Sequence, residues 1–323
     1  MPEGGNIAAA AHGGSVTPPL HILMLAPGSR GDASPLLAVC RLLMLDGHCV
    51  RFAAHEVFRA DVEALNDGDG DGDSRDDSVS SCCATAAAPG HACPPRRDAA
   101  QHSVGGAASQ PSRPCCRGNV IFYAVHGAPS TPAGPGDVAA VAGAAALEHW
   151  ARQLADYSAA AAAAPPVDAV LFNWFGTAGV HLAESLGVPA LALWPGAPLT
   201  RTRAFTCPLL PSQSACSAVA SDTALRSYVM LEALLWRTAA EPINAWRTGT
   251  LRLPPMRDEL GHFAAMARSR CPVLYGFSPR VVPPPTDFPA RVIICGDWSL
   301  RASRTWAPPP RLRQFLECPG AHL

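Results

Sequence analysis

The sequence predicts an α/β fold, a doubly wound parallel sheet, and three observations carry that expectation. Short apolar runs of strand length alternate with helical periodicities. Connections between them in the second half are short, as βαβ crossovers require. The turn that closes the first strand opens directly onto a helix.

The first run is Leu20 to Ala26, ended by Pro27-Gly28. Its apolar character, interrupted only by His21, suits a strand buried on both faces. After the loop, Ser34 is placed to cap a helix whose first residue is Pro35. Leu36, Leu37, Cys40, Leu43 and Met44 then recur at helical spacing until Gly47. Cys49 to Ala54 reads as a second strand and Glu56 to Leu65 as a short helix. From 66 to 118 the pattern breaks into Asp/Gly repeats, Ser, Pro and paired Cys, with few large apolar residues, so a disordered insertion is expected.

Order resumes with a strand at Asn119 to Val125 and an Ala-rich helix from Val138 to Ala164, ended by Pro165-Pro166. Asp168 to Asn173 (strand), Ala178 to Leu186 (helix) and Val188 to Leu193 (strand) follow in close succession. Ser221 to Trp246 is a long helix whose broad apolar face serves either as core or as the lining of a hydrophobic cleft. Val273 to Phe277 and Val292 to Cys295 are further strands, and Trp306 to Pro310 reads as a linker. The expected domain occupies 20–300, with a disordered tail at 1–19 and an interdomain linker at 301–323.

Composition narrows function by exclusion. The 323 residues carry a formal net charge of -1 and no Lys, so no basic field argues for nucleic acid. Twelve Cys are scattered without a C-x-x-C, which disfavours zinc and thioredoxin-like chemistry. Asp67, Asp69, Asp71 and Gly72 imitate half of a calcium loop, but Ser78 stands where a bidentate Glu is needed, so no metal is expected. Met1 to Thr17 has neither a basic nor an apolar leader region, and no apolar run is long enough to span a bilayer. A cytoplasmic protein with reduced thiols is expected, at most peripheral at membranes. Hydrolase and zincin motifs are absent, as is the glycine signature of dinucleotide oxidoreductases.

Ligands of doubly wound sheets lie beyond the carboxyl ends of the strands, here Pro27 to Ser34, Trp174 to Thr177 and Trp194 to Phe205. The first of these, Gly28-Ser29-Arg30-Gly31-Asp32, offers backbone N–H groups and a positive dipole end to an anion. Asp32 reads two ways: a carboxylate supporting the helix start, or a general base. Trp194 to Phe205, with Thr200, Arg201, Thr202 and Arg203, is either a pocket wall with polar handles or a loop whose arginines face water. His181, inside a helix, reads as structural.

Three stretches together resemble the sterol 3-beta-glucosyltransferases, within the UDP-sugar and antibiotic glycosyltransferases of GT-B fold. They are HILMLAPGSRGDASPLLAVCRLLMLDGHCVRFAAHEVFR at 21–59, AGVHLAESLGVPALALWPGAPLTRTRAF at 178–205, and VLYGFSPRVVPPPTDFPARVIICGDW at 273–298. The resemblance implies inverting transfer of glucose from UDP-glucose, a co-substrate with no tightly bound cofactor beside it, to a sterol or other hydrophobic alcohol. By position, Asp32 would be the catalytic base, and Gly28, Ser29, Arg30 and Gly31 would border the donor phosphates. Trp194, Thr200, Arg201, Thr202 and Arg203 would belong to the acceptor side or the interdomain face. Two departures stand out. His126-Gly127-Ala128-Pro129 replaces a G-D-P turn, and the chain stops at Leu323, soon after Gln314-Phe315-Leu316-Glu317, which resembles the family's linker to a donor-binding domain. The resemblance therefore implies that this chain alone is inactive. The alternatives are a non-catalytic sterol- or lipid-binding fragment and a truncated gene model.

Overall fold

A computed structural model describes residues 18–67, 118–126, 144–210, 221–300 and 307–317. The disorder expected over most of 66–118 and the substituted turn from Gly127 onward lie outside them.

The chain begins with β1 (His21–Leu25), α1 (Arg30–Leu45), β2 (Cys49–His55), a 3-10 turn (Glu56–Phe58) and α2 (Arg59–Glu63). After β3 (Val120–Val125) come α3 (Ala144–Ala162), β4 (Ala169–Phe172), a 3-10 turn (Trp174–Gly176) and α4 (Gly179–Leu186). The rest is β5 (Ala190–Trp194), α5 (Ser221–Gly249), α6 (Gly261–Arg268), β6 (Val273–Tyr275), β7 (Val292–Ile294) and α7 (Pro310–Glu317). The strands form one sheet in the order β3-β2-β1-β4-β5-β6-β7. Every pairing is parallel, with Met24 between Phe52 on β2 and Leu171 on β4. This is the doubly wound sheet expected.

Alternation along β1 explains why helices cover both faces. Ile22, Met24 and Ala26 pack with Leu36, Leu37, Cys40 and Phe58 on one side. Leu23 and Leu25 pack on the other with residues of α3, α4 and α5, including Leu154, Tyr157, Val180 and Leu231. With both faces buried, side-chain period gives way to the continuous apolar run seen in the sequence.

The start of α1 corrects the sequence expectation. Ser29, not Ser34, is the N-cap, and Pro35 lies inside the helix. Asp32 is the reason: its carboxylate reaches back to Ser29, which closes a capping box and satisfies an N–H at the helix end. Lacking an N–H, Pro35 makes no bond back to the Gly31 carbonyl. The helix α6 was not anticipated. It is eight residues long, and its Ala-rich sequence has little apolar periodicity to read.

Candidate functional site

The chain leaves β1 towards β2 and β3 on one side of the sheet and returns through β4 on the other, so the crevice between β1 and β4 is the topological switch point. Two segments meet there. Asn173, just after β4, donates its amide to the Pro27 carbonyl at 2.6 Å, and its backbone N–H donates to Leu25 at 3.0 Å. The same side chain caps the turn at Trp174 by accepting from Gly176 N–H at 2.9 Å.

His55, at the end of β2, holds the β1 loop from behind. Its Nε2 accepts from Gly28 N–H at 3.1 Å, and its Nδ1 lies 3.3 Å from the Val125 carbonyl. A carbonyl only accepts and an N–H only donates, so the proton sits on Nδ1 and the imidazole is neutral in this arrangement.

Gly28 has φ +117°, a conformation that side chains rarely adopt. A Cβ there would stand 2.8 Å from Asp32 Oδ2, so the carboxylate lies directly against the glycine. Oδ2 accepts two bonds from Ser29, from N–H at 2.8 Å and from Oγ at 2.7 Å. Asp32 therefore supports the helix start, and the same two bonds fix the orientation of its carboxylate. Arg30 turns outward, pairing with Asp61 at 3.0 Å and lying 5.7 Å from the Phe58 ring centre.

A cavity of about 290 Å³ opens beside this loop. Pro27, Gly28 and His55 form its edge from β1 and β2, and Trp174, Phe175 and Thr177 come from the turn after β4. The helices supply the rest: His149, Trp150 and Gln153 of α3, Leu235, Thr238 and Ala239 of α5, and His262 and Phe263 of α6. Its volume is at the lower end for small-molecule sites, and its lining is mainly apolar and aromatic with a few polar groups, as such sites require. The α5 helix contributes Tyr228 and Ile243 to the core, while Leu235 and Ala239 line the cavity.

Trp194 and the Thr200–Arg203 segment do not line this cavity. Trp194 is buried and packs edge-on against Trp174, with ring centres 5.0 Å apart, so it backs the wall. Tyr275 Oη receives N–H bonds from Leu199 at 2.9 Å and Thr200 at 2.8 Å. Arg201 grips the buried Glu232 of α5 with bonds from Nε at 3.0 and 3.1 Å. Thr202 Oγ1 and Arg203 N–H both donate to Asp287, at 2.6 and 2.7 Å. These contacts tie the loop after β5 to α5 and to the segment between β6 and β7. Spacing alone could not show that Glu232 and Asp287 lie more than thirty residues further along the chain.

Behind α4 lies a buried polar cluster. Arg247 donates to His181 Nδ1 at 2.8 Å, to Glu184 at 2.7 Å and to the Pro254 carbonyl at 2.9 Å. His181 is wholly buried, and its pKa is lowered chiefly by that burial, which outweighs the pull of Glu184. Glu184 is held down to about 2 by the adjacent His181 and by its bonds from Arg247. His181 belongs to this cluster and is not among the residues that line the cavity. His262 differs, because it lines the cavity, and burial lowers its pKa to about 3.

Fold and site together define a doubly wound α/β unit with an aromatic pocket and a positioned carboxylate at its switch point. No family model matches the sequence. It is 29% identical to a sterol 3-beta-glucosyltransferase of Emericella nidulans over 93% of this chain and 17% of that protein. Namesakes from Neurospora crassa and Yarrowia lipolytica are each 27% identical, over 92% and 97% of this chain. The resemblance carried by the three stretches thus extends over nearly all of the sequence, while the chain spans about one sixth of the length of the curated relatives it matches. Among solved structures, the glycotransferase of kitacinnamycin aligns with 90% of this chain and 55% of its own, at 15% identity and a TM-score of 0.49. Among the described residues, no group of three or more His, Cys, Asp or Glu could hold a metal, and no helix is long and apolar enough to cross a membrane.

Proposed function

We propose that these residues hold the acceptor and the general base of a UDP-glucose-dependent glucosyltransferase whose acceptor is a sterol or another hydrophobic alcohol. The observation that carries this is the position of Asp32, against the one glycine shared by the helix cap and the cavity edge. An alcohol whose body occupies the aromatic cavity brings its hydroxyl to that edge. Oδ2 is occupied by Ser29, which leaves Oδ1 to take the proton. As the O–H bond breaks, the acceptor oxygen attacks the anomeric carbon of glucose from the face opposite UDP. The bond to UDP breaks with its electron pair going to the diphosphate, and the anomeric configuration inverts. A base positioned this way contributes about 10²- to 10⁴-fold to such a step.

The α1 N-terminus, with Gly28, Ser29, Arg30 and Gly31, borders the donor phosphates in this scheme, as helix ends do for anions. Among the described residues, no Arg lines the cavity. Stabilising a leaving diphosphate needs oriented donors, each worth roughly 3 kcal/mol. The 323 residues alone are therefore proposed to bind acceptor without turning it over.

The test supplies UDP-glucose and cholesterol to the protein as the cell makes it and examines the product. A β-linked cholesteryl glucoside is expected. A glucoside that keeps the donor's configuration would overturn the displacement described, and acceptor binding with no transfer at all would favour a lipid-binding fragment.

A further inference from the structure

We infer, resting on the acceptor reading above, that the cavity selects a hydrophobic alcohol carrying a second hydroxyl, and that His262 is the residue that recognises it. Several buried polar atoms lack a hydrogen-bond partner among the described residues, including those of Tyr157, His181, Trp194 and Tyr228. His262 Nδ1 is the one that belongs to a residue lining the cavity. The side chain is 97% buried, and its ring is fixed by aromatic neighbours, Phe263 at 5.1 Å and Trp236 at 5.5 Å between centres.

The backbone makes this placement deliberate. Gly261 has φ +47°, and a Cβ on it would lie 2.0 Å from the Trp236 ring, so only glycine lets α6 approach α5 closely enough to seat His262 there. Burial keeps the imidazole neutral, so it offers one donor and one acceptor. A hydroxyl that reaches Nε2, which is not among the closed-off atoms, can answer it as donor or as acceptor, whichever tautomer is present. The transferring hydroxyl belongs at the β1 loop, whereas His262 stands on the wall built by α6. The two polar contacts are therefore made by different ends of one ligand, with the aromatic side chains of Trp174 and Phe263, 5.3 Å apart, against the apolar body between them.

Cholesterol and a cholesterol analogue with a second hydroxyl at the side-chain end are titrated into the 323-residue protein, following quenching of the cavity tryptophans. One satisfied buried hydrogen bond predicts roughly tenfold tighter binding of the diol. In His262→Phe the ratio of the two affinities falls to near one, while His262→Gln, which keeps a donor and an acceptor, retains part of it. Equal affinities in the unaltered protein, or a preference that survives His262→Phe, would overturn the inference and leave the acceptor site standing. If neither alcohol binds, both the inference and the acceptor reading fail. Should His262→Phe not fold, the unaltered protein's ratio and the Gln variant decide.

Discussion

Replacing Gly28 with Ala tests whether the β1 loop and Asp32 are built as a unit. The new methyl would meet Asp32 Oδ2 at 2.8 Å and its Cβ and Cγ at 3.0 Å, distances that force the carboxylate away. Holding Ala at φ +117° adds backbone strain of about 1–3 kcal/mol. Displacing Asp32 from Ser29 removes the cap, worth about 1 kcal/mol. Together these give a loss of about 2–4 kcal/mol, which lowers the melting temperature of a unit this size by about 5–15 °C. The assay is thermal denaturation followed by circular dichroism. Ser29→Ala, which keeps the backbone N–H bond and loses the hydroxyl, should cost about 1 kcal/mol or less. A Gly28→Ala protein that melts within 1–2 °C of the parent (about 0.5 kcal/mol) would refute the contact between glycine and carboxylate.

Other outcomes follow from the packed interior. Burial lowers the His262 pKa to about 3, well below the ordinary 6.5, so between those values the unfolded chain binds more protons and stability falls as pH drops through 6.5. At pH 5 this amounts to about 2 kcal/mol, visible as a fall in melting temperature from pH 7 that His262→Phe blunts. Glu184, depressed to about 2, acts in the same direction at lower pH, since its favourable pairing is full above the ordinary 4.5 and is lost towards pH 2. Arg201→Ala strands the Glu232 carboxylate, whose side chain is 8% exposed, and should cost roughly 3 kcal/mol by chemical denaturation. Adding Glu232→Leu should recover most of that; no recovery would mean that Arg201 acts through something other than this pair.

Much of the fold could be read from residues because β1 after His21 and the whole of β4 are apolar, and because Gly47 and Gly187 punctuate helices where the chain turns. The place of Asp32 at the end of β1 was equally readable, but its partner was not. A cap at Ser34 before Pro35 is a sound local pattern, and it lost to a carboxylate that bonds three residues back to Ser29. The cavity escaped sequence reading for a different reason. Gly28, Trp150, Trp174, Leu235 and His262 are separated by tens to hundreds of residues, and only the sheet order brings them together. His262 carried no signal of its own, sitting in a short Ala-rich helix whose start depends on a glycine packed against Trp236.

The most direct test of the central claim is Asp32→Asn in the protein as the cell makes it, measured for both cholesterol binding and glucosylation from UDP-glucose. Asn keeps an oxygen to accept from Ser29 but cannot take a proton. Glucosylation should fall by about 10²- to 10⁴-fold while cholesterol affinity changes by less than about threefold. Turnover preserved in Asp32→Asn would show that the carboxylate only caps the helix.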